Sequence, residues 1–307
     1  MISPRYRAQV ELLVRVLPHV AKEASLALKG GTAINLFVRD MPRLSVDIDL
    51  TYLPIDPRTE ALRGISEALD RIKASLQKAI PGIAVTRQAQ SGGQEAKLIC
   101  SLQQATVKVE VNTVMRGHLW STRQMQIVQA AQDEFGQFAT SQVVSQSELF
   151  GGKICAALDR QHPRDLFDIH QLFDHEGITE EIKQGFIASL VSHSRPIHEV
   201  LDPIFQDQQT VFATQFAGIT IEPFTYAEFE ATRERLVREV HTCLTTDDRA
   251  FLLSLKNGEP DWTLFPLTSI QTMPAVQWKL TNIRNLKSHN AAKHAEQLRA
   301  LEKALSV

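Results

Sequence analysis

The sequence predicts an α/β lobe of the α+β kind, built on a mixed β-sheet and followed by a mainly α-helical lobe. Its 307 residues exceed the length of a typical single domain. Short β-rich runs are concentrated before residue 145, whereas helical periodicity dominates after it. We therefore expect two domains, residues 1–145 and residues 146–307, that share one cleft.

Composition argues against a disordered, a membrane-spanning and a disulfide-rich protein. A hydrophobic fraction of 43% with 22% charged residues is typical of a folded soluble chain. No apolar run approaches the roughly 20 residues that span a bilayer, and no apolar signal core follows the charged start, so a cytoplasmic location is expected. Three widely spaced cysteines indicate neither a disulfide framework nor a zinc site. With a net charge of -2, nucleic-acid binding would require a local basic patch.

The first lobe begins with a helix predicted over residues 4–27, which Pro18 should bend or split. After a glycine pair at Gly30 and Gly31, Thr32 is expected to cap a short helix. A strong strand is predicted next, over residues 46–52. The remaining predictions for this lobe are a helix over 57–79, β-rich runs over 83–87, 97–102, 106–111 and 126–128, and a turn at 91–93.

The second lobe is predicted from apolar residues at helical spacing. Residues 196–223 show no clean period and are given no element. The predicted helices cover residues 147–160, 164–175, 179–193, 226–244, 248–255 and 290–305.

Two carboxylates follow the alternation of the predicted strand at residues 46–52. A period of two places Asp47 and Asp49 on one face and the apolar residues between them on the other. Carboxylates held a few ångströms apart repel each other unless a cation lies between them. Oxygen ligands on a rigid strand suit Mg²⁺ or Mn²⁺ bound together with phosphate oxygens.

Two neighbouring features extend this pattern. Glu110 alternates with valines in a second predicted strand, so it could join Asp47 and Asp49 as a metal ligand in a two-metal site, or be an ordinary exposed acid of an edge strand. The turn at Gly30 and Gly31 lets the backbone approach a triphosphate closely, and Thr32 adds a hydroxyl donor.

Four segments together resemble a known family. They are LKGGTAINL at residues 28–36, RLSVDIDL at 43–50, ELFGGKICAAL at 148–158 and RDLFDI at 164–169. Their order and spacing resemble the AbiEii/AbiGii family of nucleotidyltransferase-like toxins, within the DNA polymerase β-type nucleotidyltransferase superfamily.

The resemblance implies a nucleotidyltransferase fold and the toxin half of a toxin–antitoxin or phage-defence module. Such a toxin transfers a nucleotide from an NTP to an acceptor, in some relatives the 3′ end of tRNA, and has a cognate antitoxin as partner. Asp47 and Asp49 would bind Mg²⁺ or Mn²⁺, while Lys153 and one of Asp165 and Asp168 would complete the site. The assigned nucleotide-binding residues are Gly30, Gly31, Thr32, Arg43, Ser45 and Arg160.

The residues of the second lobe support this assignment on their own. Lys153 and Arg160 share one helix face and could present two positive charges to phosphates, and Asp165 and Asp168 also share a face. The acids could orient Lys153 or Arg164, or act as base toward an acceptor hydroxyl. The alternatives are a surface lysine and an ion-pair network that only joins two helices.

Other functions remain open at this stage. They are nucleotide transfer to a protein side chain, kinase-like transfer of a terminal phosphate, and a catalytically degenerate binding module. The intact pair of acids argues against the last.

A local basic patch is best sought at residues 279–303. The alternative interpretation is that these residues form an ordinary solvated helix. Trp262, Phe265 and Trp278 are expected in the core rather than stacked on bases.

Overall fold

The computed structural model describes residues 3–89 and 95–306. The turn predicted at residues 91–93 lies outside the described residues. The chain forms two compact units, Met1–Ser145 with Phe216–Pro223, and Gln146–Gln215 with Phe224–Val307. No sequence pattern indicates the return of Phe216–Pro223 to the first unit. The division of labour between two functional domains stays a prediction.

The first unit is built on a seven-stranded sheet with the strand order β3-β4-β5-β2-β1-β7-β6. Strand β2 pairs antiparallel with β1 and parallel with β5, so the sheet is mixed. This confirms the predicted fold class. The strands are β1 (Leu26–Lys29), β2 (Asp47–Tyr52), β3 (Ala84–Ala89), β4 (Glu95–Leu102), β5 (Ala105–Asn112), β6 (Arg123–Gln126) and β7 (Thr140–Val143).

Helices cover the sheet of the first unit. Helix α1 contacts β5, and α3 contacts β3 and β4. Pro18 lies in the last turn of α1, which ends at Val20, and β1 begins at Leu26, so the predicted helical course to residue 27, bent or split at Pro18, is wrong. The helices are α1 (Pro4–Val20), α2 (Gly30–Ala33), which continues as a π-helical turn (Ile34–Val38), α3 (Arg58–Ala79) and α4 (Gln129–Phe135).

The second unit is helical, as its periodicity predicts. Thr225 and Thr245 each begin a helix with a reciprocal capping box, which satisfies backbone N–H groups of the first turn. Within the described part of the chain, no helix is long and apolar enough to cross a membrane. The helices are α5 (Gln146–Arg160), α6 (Pro163–Asp174), α7 (Glu180–Ser192), α8 (Ile197–Leu201), α9 (Gln209–Val211), α10 (Tyr226–Cys243), α11 (Thr246–Lys256), α12 (Pro274–His289) and α13 (Ala291–Leu305).

Helices α5 and α7 pack directly against each other through two glycines. A Cβ atom added to Gly151 would lie 2.2 Å from the carbonyl carbon of Gly185, and one added to Gly185 would lie 2.0 Å from the Ser147 oxygen. Backbone atoms cannot move aside as a flexible side chain can. The glycine at 151 in the ELFGGK segment is therefore required for helix packing.

We expect Gly151→Ala to lower the free energy of unfolding by about 2 kcal/mol, because the new methyl group overpacks this helix contact. Gly152→Ala is the matched control, since its Cβ would meet only Ser189 Oγ at 3.7 Å. In a helix interior that change should stabilise by up to ~1 kcal/mol. Urea unfolding of both variants tests this, and equal stability of the two would contradict it.

Candidate active site

The turn between β1 and α2 is shaped by two glycines. Gly30 has φ +71, in the left-handed region that favours glycine. A Cβ at Gly30 would lie 2.5 Å from Oδ2 of Asp49. A Cβ at Gly31 would lie 2.8 Å from Nη2 of Arg43 and 3.1 Å from Oγ of Ser45. Three of the predicted site side chains thus crowd against this turn.

Thr32 fixes the turn to the start of β2. It is fully buried, and its hydroxyl contacts the Ser45 hydroxyl at 2.9 Å and donates to the backbone oxygen of Asp47. Lys29 is the N-cap of α2, so the expected capping role of Thr32 is wrong. The hydroxyl assigned to nucleotide binding is engaged inside the protein, and its direct contact with nucleotide stays a prediction.

Arg43 is held by a segment that is distant in sequence. Its side chain is buried, and Nη1 donates to the backbone oxygen of Leu44 at 2.9 Å. The neighbouring backbone pairs with residues 219–221: Leu44 N–H donates to Ile219 at 2.7 Å, and Arg43 forms a bridge with Thr220. This pairing supports the residues that lie over Gly31.

Strand β2 presents its two acids on one face, as the alternation predicts. Asp47 and Asp49 are partly exposed, whereas Ile48 and Leu50 between and after them are buried. The pairing register places Asp49 opposite Lys29 on β1. The acids therefore lie on the solvent-accessible face beside the glycine turn.

Glu110 also lies beside Asp49, but it has a partner of its own. It is paired in register with Asp49 on one side and with Lys97 on the other. Its Oε1 atom is 2.7 Å from Nζ of Lys97. A row of charges, Lys29, Asp49, Glu110 and Lys97, thus crosses four neighbouring strands. Sequence reasoning missed Lys97, although the alternation of β4 places it opposite the buried Leu98 and Cys100.

The acids of β2 suit a divalent cation. Asp47 and Asp49 offer hard oxygen ligands on one rigid strand, which are the ligands that Mg²⁺ prefers. Among residues 3–89 and 95–306, no group of three or more His, Cys, Asp or Glu side chains could hold a metal. Glu110 would have to leave Lys97 to join them, so its role as a ligand stays a prediction.

We expect Lys97→Met to tighten Mn²⁺ binding by about tenfold, or ~1.4 kcal/mol, because Glu110 is released and a repelling charge is removed. Lys97→Arg keeps the charge and should bind as the wild type does. Lys78→Met, at an exposed position of α3, controls for the change in net charge. Titration followed by electron paramagnetic resonance measures free Mn²⁺, and unchanged affinity in Lys97→Met would refute the coupling.

A second cluster lies within the second unit, between α5 and α6. Nζ of Lys153 is 2.7 Å from Asp165 and 2.9 Å from Asp168. Arg160 contacts both oxygens of Asp165, at 2.5 and 3.0 Å. The structure thus brings together all four predicted residues of this lobe.

This cluster is buried except for one arginine. Lys153, Asp165 and Asp168 are each less than a tenth exposed, whereas the Arg160 side chain is 61% exposed. Burial alone would raise the pKa of Asp165, but Lys153 and Arg160 outweigh it and hold the pKa well below its usual range. The surface-lysine alternative for Lys153 is therefore wrong. The network joins α5 to α6, and its role in chemistry stays a prediction.

Part of the expected basic patch at residues 279–303 is used within the protein, since Lys279, Arg284 and Lys287 donate to backbone oxygens, and a binding role for the rest stays a prediction. Lys279 is buried, and its Nζ donates to the backbone oxygens of His193 at 2.6 Å and Arg195 at 2.8 Å, beyond the end of α7. Burial lowers the pKa of Lys279 to about 8.

Two aromatic residues of the same region differ in burial. Trp278 is 60% exposed, so its expected place in the core is wrong, whereas Phe265 is buried as predicted.

Comparisons with known proteins give the family and the fold. The family model described as "Nucleotidyl transferase AbiEii toxin, Type IV TA system" matches residues 11–282. No curated protein matches the sequence. Among solved structures, MenT4, a nucleotidyltransferase toxin from Mycobacterium tuberculosis H37Rv, superposes with a TM-score of 0.61 at 15% identity, covering 91% of this chain and 93% of that chain. The structural similarity shows a shared fold, and the family match extends over most of the sequence. The chain therefore belongs to the AbiEii family of nucleotidyltransferase toxins of type IV toxin–antitoxin systems.

Proposed function

We propose that this toxin transfers a nucleoside monophosphate from an NTP to RNA, with the 3′ end of tRNA as acceptor, using Mg²⁺ held by Asp47 and Asp49. One observation carries the proposal: the Asp49 carboxylate lies directly over the Gly30 turn. This closeness supports a cation held by Asp49 next to a nucleotide phosphate at the turn.

In this reaction the acceptor hydroxyl oxygen forms a bond to the α-phosphorus, and the bond from that phosphorus to pyrophosphate breaks. The hydroxyl proton passes to a base or to solvent, and pyrophosphate leaves. Bound Mg²⁺ supplies hydroxyl activation and neutralises charge on the phosphates. Asp47 and Asp49 would hold the ion from one rigid strand, and Gly30 and Gly31 let the side chains of Asp49, Arg43 and Ser45 lie directly against the turn.

In the cluster between α5 and α6, we assign a different role to the exposed residue than to the buried ones. We assign the contact with a substrate phosphate to Arg160, because its guanidinium is the accessible group of the four. Lys153 and Asp168 then position Asp165, which in turn orients Arg160 through two contacts. This assignment rests on the family resemblance and on the contacts within α5 and α6.

The test uses the purified protein with Mg²⁺, total RNA and each NTP, labelled in parallel at the α- or the γ-phosphate. We expect α-label in RNA of tRNA size and no transfer of γ-label. Periodate oxidation of the RNA 3′ end should abolish labelling. Transfer of γ-label would establish kinase-like chemistry, and α-label on protein would establish a protein acceptor.

A degenerate binding module would give a different result. It would label nothing with any of the four NTPs, while still arresting growth by sequestration. The antitoxin partner that the family implies does not separate these cases, since both kinds of toxin require neutralisation.

A further inference from the structure

Arg116 is a buried cation with almost no partner. It is 4% exposed, and it follows β5 in the first unit. Within residues 3–89 and 95–306 its guanidinium makes one hydrogen bond, from Nη1 to the backbone oxygen of Asp56 at 3.3 Å. Its Nε is buried without an acceptor. A guanidinium carries five N–H donors, and the Nε donor of this one is buried with nothing to accept it.

The charges around Arg116 do not neutralise it. Burial lowers the pKa of Arg116 from its ordinary value, and the positive charge of Arg58 adds to this effect. Asp56 and Tyr52 act in the opposite direction. However, the Asp56 carboxylate accepts a hydrogen bond from the Tyr52 hydroxyl at 2.8 Å, and only its backbone oxygen contacts Arg116. A buried, poorly paired cation costs free energy, so it indicates a negative partner from outside the chain.

The first turn of α3 lies beside this arginine. Pro57 is the N-cap, it contributes no side-chain hydrogen bond, and it directly follows the Asp56 carbonyl that Arg116 contacts. The first backbone N–H groups of a helix have no intrahelical acceptors, and they carry the positive end of the helix dipole. Arg58 adds positive charge in this turn and Arg63 in the next, against Glu60.

We propose that Arg116, Arg58 and the first turn of α3 bind a phosphate group. Guanidinium groups and helix N-termini are the standard protein ligands of phosphate. The site is distinct from the acids of β2: Tyr52, which contacts Asp56 at the start of α3, lies three residue steps along the strand from Asp49, roughly 10 Å. The bound group is therefore a phosphate other than the reacting one, from a polynucleotide or from a free nucleotide.

The first experiment measures thermal unfolding with inorganic phosphate against sodium chloride of equal ionic strength. At about ten times Kd, phosphate should raise the Tm of the wild type by roughly 2–4 °C. Arg116→Met should lose this shift, yet be at least as stable as the wild type without phosphate, because an unpaired buried cation has been removed. Arg87→Met, which alters an arginine paired with Asp70, is the matched control and should keep the shift.

A purely structural Arg116 gives the opposite pattern. Arg116→Met would then lose the same stability in both buffers, or would keep the phosphate shift, and either result overturns the proposal. If Arg116→Met does not fold, Arg58→Ala replaces it, since Arg58 is exposed. Asp49→Asn should keep the full phosphate shift, so loss of transferase chemistry and loss of this site are distinguishable.

A second experiment identifies the source of the phosphate. Binding of ATP and of a ten-nucleotide single-stranded RNA is compared by fluorescence anisotropy in wild type and Arg116→Met. A polynucleotide source predicts about tenfold weaker RNA binding with ATP unchanged, since one phosphate contact is lost. A nucleotide source predicts about tenfold weaker ATP binding with RNA binding unchanged. An Arg116-dependent shift with neither ligand affected supports a site for free phosphate.

Discussion

Asp49→Asn is expected to slow nucleotide transfer on the order of 10³-fold, or about 4 kcal/mol of transition-state stabilisation, while the protein stays folded. The amide keeps the shape of the side chain but loses the charge that holds the cation. Asp49 is partly exposed beside the partly exposed Asp47, so the core does not depend on it. Removing one of two repelling acids should leave the free energy of unfolding unchanged or raised. Steady-state transfer and urea unfolding of the same preparation measure both effects.

The control is Asp133→Asn, an exposed acid of α4 in the same unit, which should leave both quantities unchanged. Growth provides a second readout, because the Asp47→Asn and Asp49→Asn double variant should no longer slow bacterial growth at matched protein levels. If the double variant remained equally harmful, toxicity would arise from binding, and the degenerate-module interpretation would replace the enzyme.

Lys153→Met is expected to lower the free energy of unfolding by about 3–5 kcal/mol. The substitution leaves Asp165 and Asp168 buried, with Arg160 as the remaining charged partner of Asp165. The depressed pKa of Asp165 means that its stabilising contribution is present above its ordinary pKa, and is lost as the pH falls below it. Urea unfolding at pH 7 therefore reports the full effect.

Lys183→Met is the matched control for Lys153→Met. Lys183 is equally buried and contacts Asp248 at 2.8 Å, but it lies in α7, outside the family segments. Both variants should lose comparable stability. Only Lys153→Met should lose turnover per folded molecule, if its cluster serves the reaction. Full turnover in the folded fraction would leave Lys153 with a purely structural role, and undiminished stability would refute the buried network itself.

Local periodicity accounts for what the sequence predicts well. The alternation of Asp47 and Asp49 with buried neighbours fixes their common face before any tertiary contact is known. The helices of the second unit follow from apolar spacing and capping threonines. Periodicity extends the predicted first helix to residue 27, but α1 ends at Val20, two residues after Pro18, and the apolar run at Leu26 begins β1 instead.

Long-range partners account for what the sequence does not predict. The ion pair between Glu110 and Lys97 depends on the register of β4 against β5, which periodicity alone does not specify. The sparse hydrogen bonding of Arg116 among the described residues is not predictable from sequence, because it depends on which groups pack around it. The burial of Lys153 likewise depends on the packing of α5 with α6.

The return of Phe216–Pro223 to the first unit sets an order of assembly. This segment pairs with the backbone around Arg43, yet it is synthesised only after α5 to α9. A nascent or truncated chain that ends before residue 216 therefore lacks the backbone pairing beside Arg43, even though every acid of β2 is already present. Pairing between segments so far apart in sequence requires a large loop-closure entropy cost, which slows folding. The amino-terminal unit therefore cannot be complete until synthesis has passed residue 223.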